Sequence, residues 1–455
     1  MKRSGYIAFI VLIWLLCLVP ALGMFLPGEE EAGGNQVLSA MPALRDRKGQ
    51  LNQDYLPQVM DFVEDNYYLR QPMVTAWAGL NEKLLRSSIS KDVVLGKDGW
   101  LYFGETLSDY TGLAPLPDSD IAAAAYNLHI MSIYCSNQRA DLLVTIAPNK
   151  NSLYPEKMPK LTVYPPAASN AARLADDLDG WFVSYVDLFK AFRAQEEPLY
   201  FAQDSHWNGR GAALAADTIL NFPWKGDSRY FEGPFVPATH KGDLYDMLCP
   251  AGEETEADYA YGPGFHFTYD QPIRSAENLT IMTTCEGKDG SLLMFRDSFG
   301  NNLYPYLAES FGHALFSRAT AYRLDLIAER GADTVVIELV ERNIPYLLQN
   351  VPVMPAPSST SRPYKEGYYW QARAVLSPEG PEDIVLQTTP SREMSGYVLV
   401  KGALPEGKAP GAVYLLADGA YYKAFLQEDS GFGLYMPETA LTGELSVIWS
   451  GGEYE

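Results

Sequence analysis

Short apolar runs that alternate with helical patterns constrain the fold of this chain most strongly. Three of these runs, Asp141–Ala147, Ser291–Phe295 and Thr334–Val340, contain few polar residues. Such runs are typical of strands that are buried on both faces of a parallel sheet. Because helical periodicity fills the stretches between them, the sequence predicts an α/β domain with a parallel sheet that is flanked by helices.

The N-terminus carries a targeting signal. Lys2 and Arg3 precede an uncharged apolar run over residues 6–26, which is about long enough to cross a bilayer as a helix. The two cations are expected to stay in the cytoplasm, so the rest of the chain is expected outside it. We expect a single-pass protein of the cell membrane with an extracytoplasmic domain. If the run is instead a signal peptide that is cleaved near Ala21-Leu22-Gly23, the protein is secreted.

The composition changes along the chain and indicates several units. Residues 354–362 are rich in Pro and Ser, and beyond them short apolar runs are separated by turn residues. This pattern predicts a small all-β unit, which we expect to be a β-sandwich. We therefore divide the chain into a signal anchor or transmembrane helix (1–28), an extracytoplasmic linker with helices (29–90), the α/β domain (91–352), a linker (353–366) and the small β domain (367–455).

Charge and cysteine content exclude some classes of partner and site. The formal net charge of −22 opposes binding to phosphate backbones, so no nucleic-acid partner is expected. Besides Cys17 in the apolar run, the chain has Cys135, Cys249 and Cys285 without a CxxC spacing, and this predicts neither a zinc site nor a dense disulfide framework. One disulfide between Cys249 and Cys285 and three buried thiols both fit this pattern.

Asp204 and His206 form a compact pair of a carboxylate and an imidazole. They lie two residues apart in Gln203-Asp-Ser-His-Trp-Asn208, in a chain with five histidines. In an extended segment such positions point the same way, so Asp204 can orient the His206 ring and stabilise its protonated form. Trp207 would shield that ring from water. The same residues also fit a loop in which Asp204 only caps the following helix.

Ser298 is the candidate nucleophile. It lies in Phe295-Arg-Asp-Ser-Phe-Gly300, between an apolar strand and a helical stretch, which places its hydroxyl on a turn near a helix N-terminus. Backbone N–H groups at such a turn can receive an oxyanion, and the Ser298 N–H is the first expected donor. A serine that only caps the helix is the alternative.

Other polar residues are candidates by position alone. Asn149 follows an apolar run as Ser298 does, and the carboxyl ends of strands are where α/β sheets bind ligands. The further oxyanion or substrate candidates are Arg296, Tyr322 and Trp207. Lys150 can equally pair with a structural carboxylate. The end of the third apolar run is interpreted as a buried ion-pair network of Glu338, Glu341 and Arg342.

Taken together and in their order, these motifs resemble the alginate O-acetyltransferase proteins AlgX and AlgJ and their Gram-positive relatives. The resemblance covers about residues 28–350. It rests on the Asp-Ser-His-Trp-Asn and Arg-Asp-Ser-Phe-Gly segments, Gly96-Lys-Asp-Gly-Trp-Leu-Tyr102, Pro148-Asn-Lys150 with Tyr154-Pro-Glu156, and Glu338-Leu-Val-Glu-Arg342.

The resemblance implies an SGNH-hydrolase-like fold in which the Asp-x-His pair precedes the serine, in a permuted order. It also implies a catalytic triad: Ser298 attacks an acetyl donor, His206 takes the hydroxyl proton, and Asp204 orients His206. The acetyl group then passes to a sugar hydroxyl. A further implication is a partner, a membrane-bound O-acyltransferase that brings acetyl groups to the outer face of the membrane.

We therefore expect an extracytoplasmic O-acetyltransferase that acts through a serine acyl-enzyme on a cell-envelope or secreted polysaccharide. A polysaccharide acetylesterase with the same triad and a non-catalytic polysaccharide-binding or assembly protein stay open as alternatives. No cofactor and no metal is expected, because the histidines form no ligand spacing such as HExxH. For the small β domain, packing or anchoring is favoured over carbohydrate binding.

Overall fold

The structure is a computed structural model, and the residues that it describes are 2–23, 39–45, 49–85, 87–113, 115–161, 168–222, 226–363, 369–377, 380, 383–405 and 410–451. Twelve α-helices are assigned in these residues: α1 Lys2–Gly23, α2 Tyr55–Asn66, α3 Arg70–Leu85, α4 Leu107–Thr111, α5 Asp118–Asn137, α6 Lys150–Leu153, α7 Asn170–Gly180, α8 Leu188–Arg193, α9 Gly209–Asn221, α10 Asp243–Leu248, α11 Gly300–Ala308 and α12 Leu326–Arg330.

The strands fall into an N-terminal hairpin, a central sheet, a second hairpin and a C-terminal sheet. In chain order they are β1 Val93–Leu95, β2 Leu101–Phe103, β3 Asp141–Ala147, β4 Ser184–Val186, β5 Phe235–His240, β6 Glu256–Tyr261, β7 Thr268–Tyr269, β8 Thr280–Thr284, β9 Ser291–Phe295, β10 His313–Ser317, β11 Thr334–Val340, β12 Ser358–Ser359, β13 Tyr369–Val375, β14 Ile384–Val385, β15 Gln387–Pro390, β16 Tyr397–Ala403, β17 Pro410–Ala417, β18 Ala420–Leu426, β19 Gly431–Pro437 and β20 Leu445–Gly451.

The central sheet confirms the predicted α/β class. Its strand order is β4-β3-β11-β9-β10-β8-β7, and the first five strands of this order are parallel. All seven residues of β11 are buried, because β11 lies between β3 and β9 with helices on both faces. The three apolar runs of the sequence are β3, β9 and β11, and their carboxyl ends lie side by side.

The helix and strands between residues 222 and 290 were not predicted from the sequence. β5 and β6 form an antiparallel hairpin, and α10 lies between them in the chain. The burial of β5 and β6 alternates irregularly between half-buried and exposed, so the sequence shows no clear apolar period there. Two residues of this segment, His240 at the end of β5 and Asp243 at the start of α10, contact Asp204 and so contribute to the candidate site.

The C-terminal strands form one barrel-like sheet, so the prediction of a two-sheet sandwich is wrong. The order of its main path is β14-β13-β20-β17-β18-β19-β16-β15. Residues at the start of β18 pair with β17, whereas Phe425 and Leu426 at its end pair with β19. A single strand therefore joins the two halves through continuous hydrogen bonding, which a sandwich of separate sheets does not have.

The C-terminal sheet packs on the central domain through α5. Asn127, on α5 and almost fully buried, donates from Nδ2 to the carbonyl oxygens of Leu347 (3.1 Å) and Leu426 (2.8 Å). Its Oδ1 accepts the Leu426 N–H at 2.8 Å. Since one apolar core continues from α5 into β17, β18 and β20, the two units share their packing.

Two further expectations concern the N-terminus and the cysteines. Across the described residues, no helix has both the length and the apolar character that crossing a bilayer requires. Cys135, Cys249 and Cys285 are free thiols. The alternative of a disulfide between Cys249 and Cys285 is therefore wrong. The alternative of three buried thiols holds for Cys135 and Cys285, whereas Cys249 is half-buried.

Candidate active site

The turn that carries Ser298 connects β9 to α11 and is braced by its neighbour Asp297. The Asp297 carboxylate accepts the Phe299 N–H at 2.9 Å through Oδ1. Its Oδ2 accepts the Val340 N–H and the Asn343 side-chain amide, each at 2.8 Å. One bond through Oδ2 runs to the last residue of β11 and the other to Asn343 just beyond it. The turn is therefore fixed to the neighbouring strand, and the Ser298 hydroxyl is held at the carboxyl edge of the sheet.

The segment that carries Asp204 and His206 has no regular structure and is held by distant side chains. Lys150 is almost fully buried, and its ammonium group donates to the carbonyl oxygens of Leu101 (2.6 Å), Ala202 (2.7 Å) and Asp204 (2.9 Å). Burial lowers the pKa of Lys150 to about 7, although Glu256 and Asp204 act in the opposite direction. Lys150 thus forms three hydrogen bonds to backbone oxygens and does not form the pair with a carboxylate that the sequence suggested.

The backbone N–H groups of the same segment are satisfied by carboxylates. Glu256, at the start of β6, accepts the N–H groups of Ala202 (2.6 Å) and Gln203 (2.9 Å). Asp243, at the start of α10, accepts the Ser205 N–H (2.8 Å). Because buried backbone polar groups need partners, these side chains replace the ladder that a strand would supply.

Asp204, His206 and Ser298 lie in a line of hydrogen bonds. His206 Nδ1 is 2.7 Å from Asp204 Oδ1, and His206 Nε2 is 2.9 Å from Ser298 Oγ. Asp204 Oδ1 also accepts the His206 N–H at 2.8 Å, so the carboxylate fixes both the ring and its backbone. The structure thus brings together the three residues that the sequence singled out, in the spacing of a nucleophile, a base and an orienting group.

The second oxygen of Asp204 is also fully used. His240 Nε2 lies 2.7 Å from Asp204 Oδ2, and the Asp243 N–H donates to the same oxygen at 2.9 Å. Burial raises the pKa of Asp204, but the contacts with His206 and His240 outweigh burial and hold that pKa well below its usual range. Asp204 is therefore a carboxylate at neutral pH.

The ionisation of His206 follows from its neighbours. Burial lowers its pKa, but Asp204 and Asp243 raise it by more, so the net effect is a raised pKa. Arg342 acts in the lowering direction. A raised pKa stabilises the imidazolium that forms when His206 accepts a proton.

Asp243 is the acidic residue nearest to the His206 ring after Asp204. Its Oδ2 accepts the Ser205 hydroxyl at 2.6 Å and lies 3.7 Å from His206 Nδ1. Among the described residues, Asp204, His206 and Asp243 form the one group with the spacing of metal ligands. The oxygen and nitrogen atoms that these three residues direct at one another already take part in the hydrogen bonds given above. Those hydrogen bonds explain the arrangement as a network that handles protons.

A pocket of about 590 Å³ opens over these residues. Its lining includes Ser298, His206, His240, Asn302 and Arg342. The Ser298 hydroxyl is thus open to a ligand, while Asp204, which also borders the pocket, is only 3% exposed.

The remaining candidates of the sequence analysis do not line this pocket. Asn149 is fully buried, and its side chain points to Asp109 at 3.5 Å. Arg296 is buried and bonds to the carbonyl oxygen of Ala276 (2.6 Å), and the Tyr322 ring packs on Phe295 (centroids 5.0 Å apart). Their positions after core strands placed them near the edge of the sheet, but their side chains turn into the interior.

Phe299, and not Trp207, covers the imidazole. The ring of Phe299 lies 4.7 Å from that of His206. Trp207 is fully buried and stacks on Phe192 at 5.7 Å, behind Phe299. The shielding role predicted for Trp207 therefore belongs to Phe299, since adjacent residues of an extended segment point to opposite sides.

Arg342 faces the pocket, so the predicted ion-pair network is wrong. Its guanidinium lies over the rings of Phe103 (5.2 Å) and Phe299 (5.7 Å), and among the described residues it forms no ion pair. Glu341 instead accepts the Ser152 hydroxyl at 2.6 Å, and Glu338 lies against the Asp297 N–H at 3.3 Å. Burial raises the pKa of Glu338 well above its usual range and that of Glu341 to about 7.

Three residues of the site were not predicted from the sequence: His240, Asp243 and Arg342 in its pocket position. His240 and Asp243 lie in a region without a clear period, 36 and 39 residues after Asp204. Their only sequence signal is that His240 is one of five histidines. Arg342 lies in the motif Glu338-Leu-Val-Glu-Arg342, but the direction of its side chain depends on tertiary packing.

Part of this chain is similar to a known protein family. Residues 93–260 match the family model that is described as "SGNH hydrolase-like domain, acetyltransferase AlgX". This match confirms the resemblance stated from the motifs. Asp204 and His206 lie within the matched residues, and Ser298 lies beyond them.

The solved structures that the chain matches come from several bacteria, all at low identity and with TM-scores below 0.5. One is Bacillus cereus PatB1 with a sulfonyl adduct (17% identity, 56% of this chain, 97% of that chain, TM-score 0.43). Others are a DHHW family protein from Eubacterium siraeum (17%, 58%, 99%, 0.41) and the O-acetyltransferase domain of Pseudomonas putida AlgJ (17%, 56%, 92%, 0.38). No curated protein matches the sequence.

Proposed function

We propose that this protein is an O-acetyltransferase that passes acetyl groups through Ser298 to hydroxyls of a cell-envelope or secreted polysaccharide. The observation that carries the proposal is the continuous line from Asp204 through His206 to Ser298, with bonds of 2.7 Å and 2.9 Å. The match to an acetyltransferase domain family supports acetyl as the group that is transferred.

The first half-reaction loads the serine. Ser298 Oγ bonds to the acetyl carbonyl carbon while its proton passes to His206 Nε2. The carbonyl oxygen gains negative charge, which the Ser298 N–H at the start of α11 and the cation of Arg342 can stabilise. The bond from carbon to the donor oxygen then breaks, and this oxygen takes the proton back from His206.

The second half-reaction unloads the serine onto the acceptor. A sugar hydroxyl gives its proton to His206 Nε2, and its oxygen bonds to the acetyl carbon. Ser298 Oγ leaves and recovers the proton. The Asp204 carboxylate stabilises the imidazolium of His206 in both halves, because its Oδ1 lies against Nδ1 and not against the transferred proton.

The second candidate function is that of an acetylesterase, in which water replaces the sugar hydroxyl as the acceptor at the same site. The pocket over Ser298 is open, so either acceptor can enter. We favour transfer because the matched family is one of acetyltransferases. As the acetyl supplier we propose a membrane-bound O-acyltransferase, since acetyl groups are activated in the cytoplasm.

The proposed location is outside the cytoplasm. It is supported by Lys2 and Arg3 ahead of an uncharged apolar run, a pattern that directs the following chain outward. A fusion of alkaline phosphatase to the C-terminus tests it. Phosphatase activity in intact cells supports export, and activity only with a cytoplasmic reporter contradicts it.

Trapping of the acyl-enzyme tests the serine mechanism. The purified full-length chain is incubated briefly with p-nitrophenyl acetate, and its peptides are mapped by mass. We expect acetyl on Ser298 in the wild type and in the control Ser136→Ala, an exposed serine on α5, but in neither Ser298→Ala nor His206→Ala. Absence of acetyl and of ester turnover in the wild type would favour the non-catalytic binding protein.

The acceptor is tested with the same donor. An oligosaccharide is added, and the ratio of acetylated sugar to free acetate is measured. A ratio that rises with sugar concentration supports transfer. A ratio that stays near zero for every polymer supports the esterase.

A further inference from the structure

Asp204 lies between two imidazoles, and only one of them belongs to the triad. His206 Nδ1 meets Asp204 Oδ1, and His240 Nε2 meets Asp204 Oδ2, each at 2.7 Å. We propose that His240 is a positioning residue: its bond to Oδ2 fixes the plane of the carboxylate and keeps Oδ1 directed at His206. This role rests on the proposed function of His206 as the base.

His240 is itself held in a defined place. It ends β5, pairs with Glu256 across the hairpin, and its ring stacks on Phe201 with centroids 4.2 Å apart. Gly242, two residues on, allows the chain to pass close to the Asp204 segment. A Cβ at this position would lie 2.1 Å from the carbonyl oxygen of Gln203, so any other residue would push the hairpin away.

The Asp204 carboxylate has no unused direction once His240 is bound. Its Oδ1 accepts the ring and backbone N–H groups of His206, and its Oδ2 accepts His240 and the Asp243 N–H. Without His240, Oδ2 keeps one backbone donor and the pocket side of the carboxylate is open to water. The carboxylate can then rotate together with the His206 ring that it binds, so the ring is held less firmly toward Ser298.

The same contact sets how strongly Asp204 acts on His206. A donor on Oδ2 withdraws charge from the carboxylate, so His240 limits the degree to which Asp204 favours the imidazolium of His206. The other groups that act on His206 are Asp243, which favours its charged form, and Arg342, which opposes it. Those that act on His240 besides Asp204 are Asp258 and Glu256, both on β6, and both raise its pKa.

NMR titration of the histidine rings tests the proposal on the full-length chain. With five histidines, the His206 ring can be assigned by its absence in His206→Ala. In His240→Ala we expect the His206 midpoint to move up by about half a pH unit, because one hydrogen bond to the carboxylate is lost. In His240→Gln, whose side-chain amide can donate to Oδ2, we expect most of the shift to be reversed.

A second histidine–carboxylate pair is the matched control. His266 Nδ1 lies 2.8 Å from Glu309 Oε1 on an exposed part of the surface. His266→Ala is expected to leave the His206 midpoint unchanged. Thermal unfolding of each variant shows whether the fold is retained.

Kinetics with p-nitrophenyl acetate give a second readout. We expect kcat of His240→Ala to fall about tenfold with a smaller change in KM, and to recover partly in His240→Gln. A folded His240→Ala with an unchanged His206 midpoint overturns the proposal. Because the NMR shift does not depend on acetyl on Ser298, failure of the proposed function and failure of this inference are distinguishable.

Discussion

The ammonium nitrogen of Lys150 lies 2.9 Å from the carbonyl oxygen of Asp204, so the orienting carboxylate of the triad is fixed through its own backbone. Two further carbonyls, of Leu101 and Ala202, complete the three acceptors that an ammonium group can take. Lys150 therefore connects the N-terminal hairpin, α6 and the Asp204 segment at one point.

Replacing Lys150 with Met is expected to destabilise the fold and to reduce activity more than the loss of stability explains. Three buried carbonyls lose their donor, which costs about 3 kcal/mol in the free energy of unfolding. A shift of the Asp204 segment by about 1 Å would lower kcat about 100-fold. Urea unfolding and turnover of p-nitrophenyl acetate measure the two effects.

The control for Lys150 is Lys157→Met. Lys157 pairs at 2.6 Å with Asp98, which is mostly exposed, so its loss is expected to cost less than about 1 kcal/mol. Equal effects of the two substitutions on kcat would contradict the role of Lys150.

The activity is expected to rise with pH through a midpoint above 6.5, the ordinary value for histidine. His206 acts as a base only when neutral, and its pKa is raised because Asp204 and Asp243 outweigh its burial. The contribution of His206 to the free energy of unfolding changes with pH in the opposite direction to activity. It is fully present below the pKa of His206 in the unfolded state and is lost as pH rises through its pKa in the folded state. The dependence of kcat/KM on pH checks the midpoint, and a value at or below 6.5 contradicts it.

Glu341 is expected to make the fold less stable as pH rises from about 4.5 to about 7. Burial raises its pKa from 4.5 to about 7, so the folded state binds this proton more tightly than the unfolded state does. Glu341→Gln keeps an oxygen for Ser152 and removes the titration. The unfolding free energy of wild type relative to Glu341→Gln is expected to fall by about 2–3 kcal/mol across this range.

The comparison between wild type and Glu341→Gln isolates this group from Glu338, whose pKa is raised in the same direction. Chemical unfolding at several pH values measures the difference in unfolding free energy between the two proteins. Parallel stability curves for the two proteins would show that Glu341 is ionised in the folded state.

Asn127→Ala is expected to loosen the C-terminal sheet from α5. It leaves the buried N–H and carbonyl of Leu426 without their side-chain partner, at a cost of about 3 kcal/mol. Hydrogen exchange is expected to increase in β18, while acetyl-ester turnover at low temperature is unchanged. Asn137→Ala, an exposed change on the same helix, is expected to stay within about 0.5 kcal/mol.

Much of the fold was predictable because its signals are local. The runs that became β3, β9 and β11 contain few polar residues, and the turn from Gly96 to Gly99 between two short apolar stretches is a local signal of the first hairpin. The segment from 222 to 290 was not predictable, because its strands are only partly buried and show no period. The single C-terminal sheet was missed for another reason: the change of partner along β18 depends on which strands lie beside it.

The sequence by itself determined the alternation of strands and helices, the spacing of Asp204 and His206, and the place of Ser298 on a turn after β9. Each depends on residues that are neighbours in the chain. Only the tertiary structure decided that Phe299 covers His206, that Arg342 faces the pocket, and that Lys150 and His240 hold Asp204. These contacts join residues 36 to 54 positions apart or pair side chains on different elements, and no local periodicity encodes such distances.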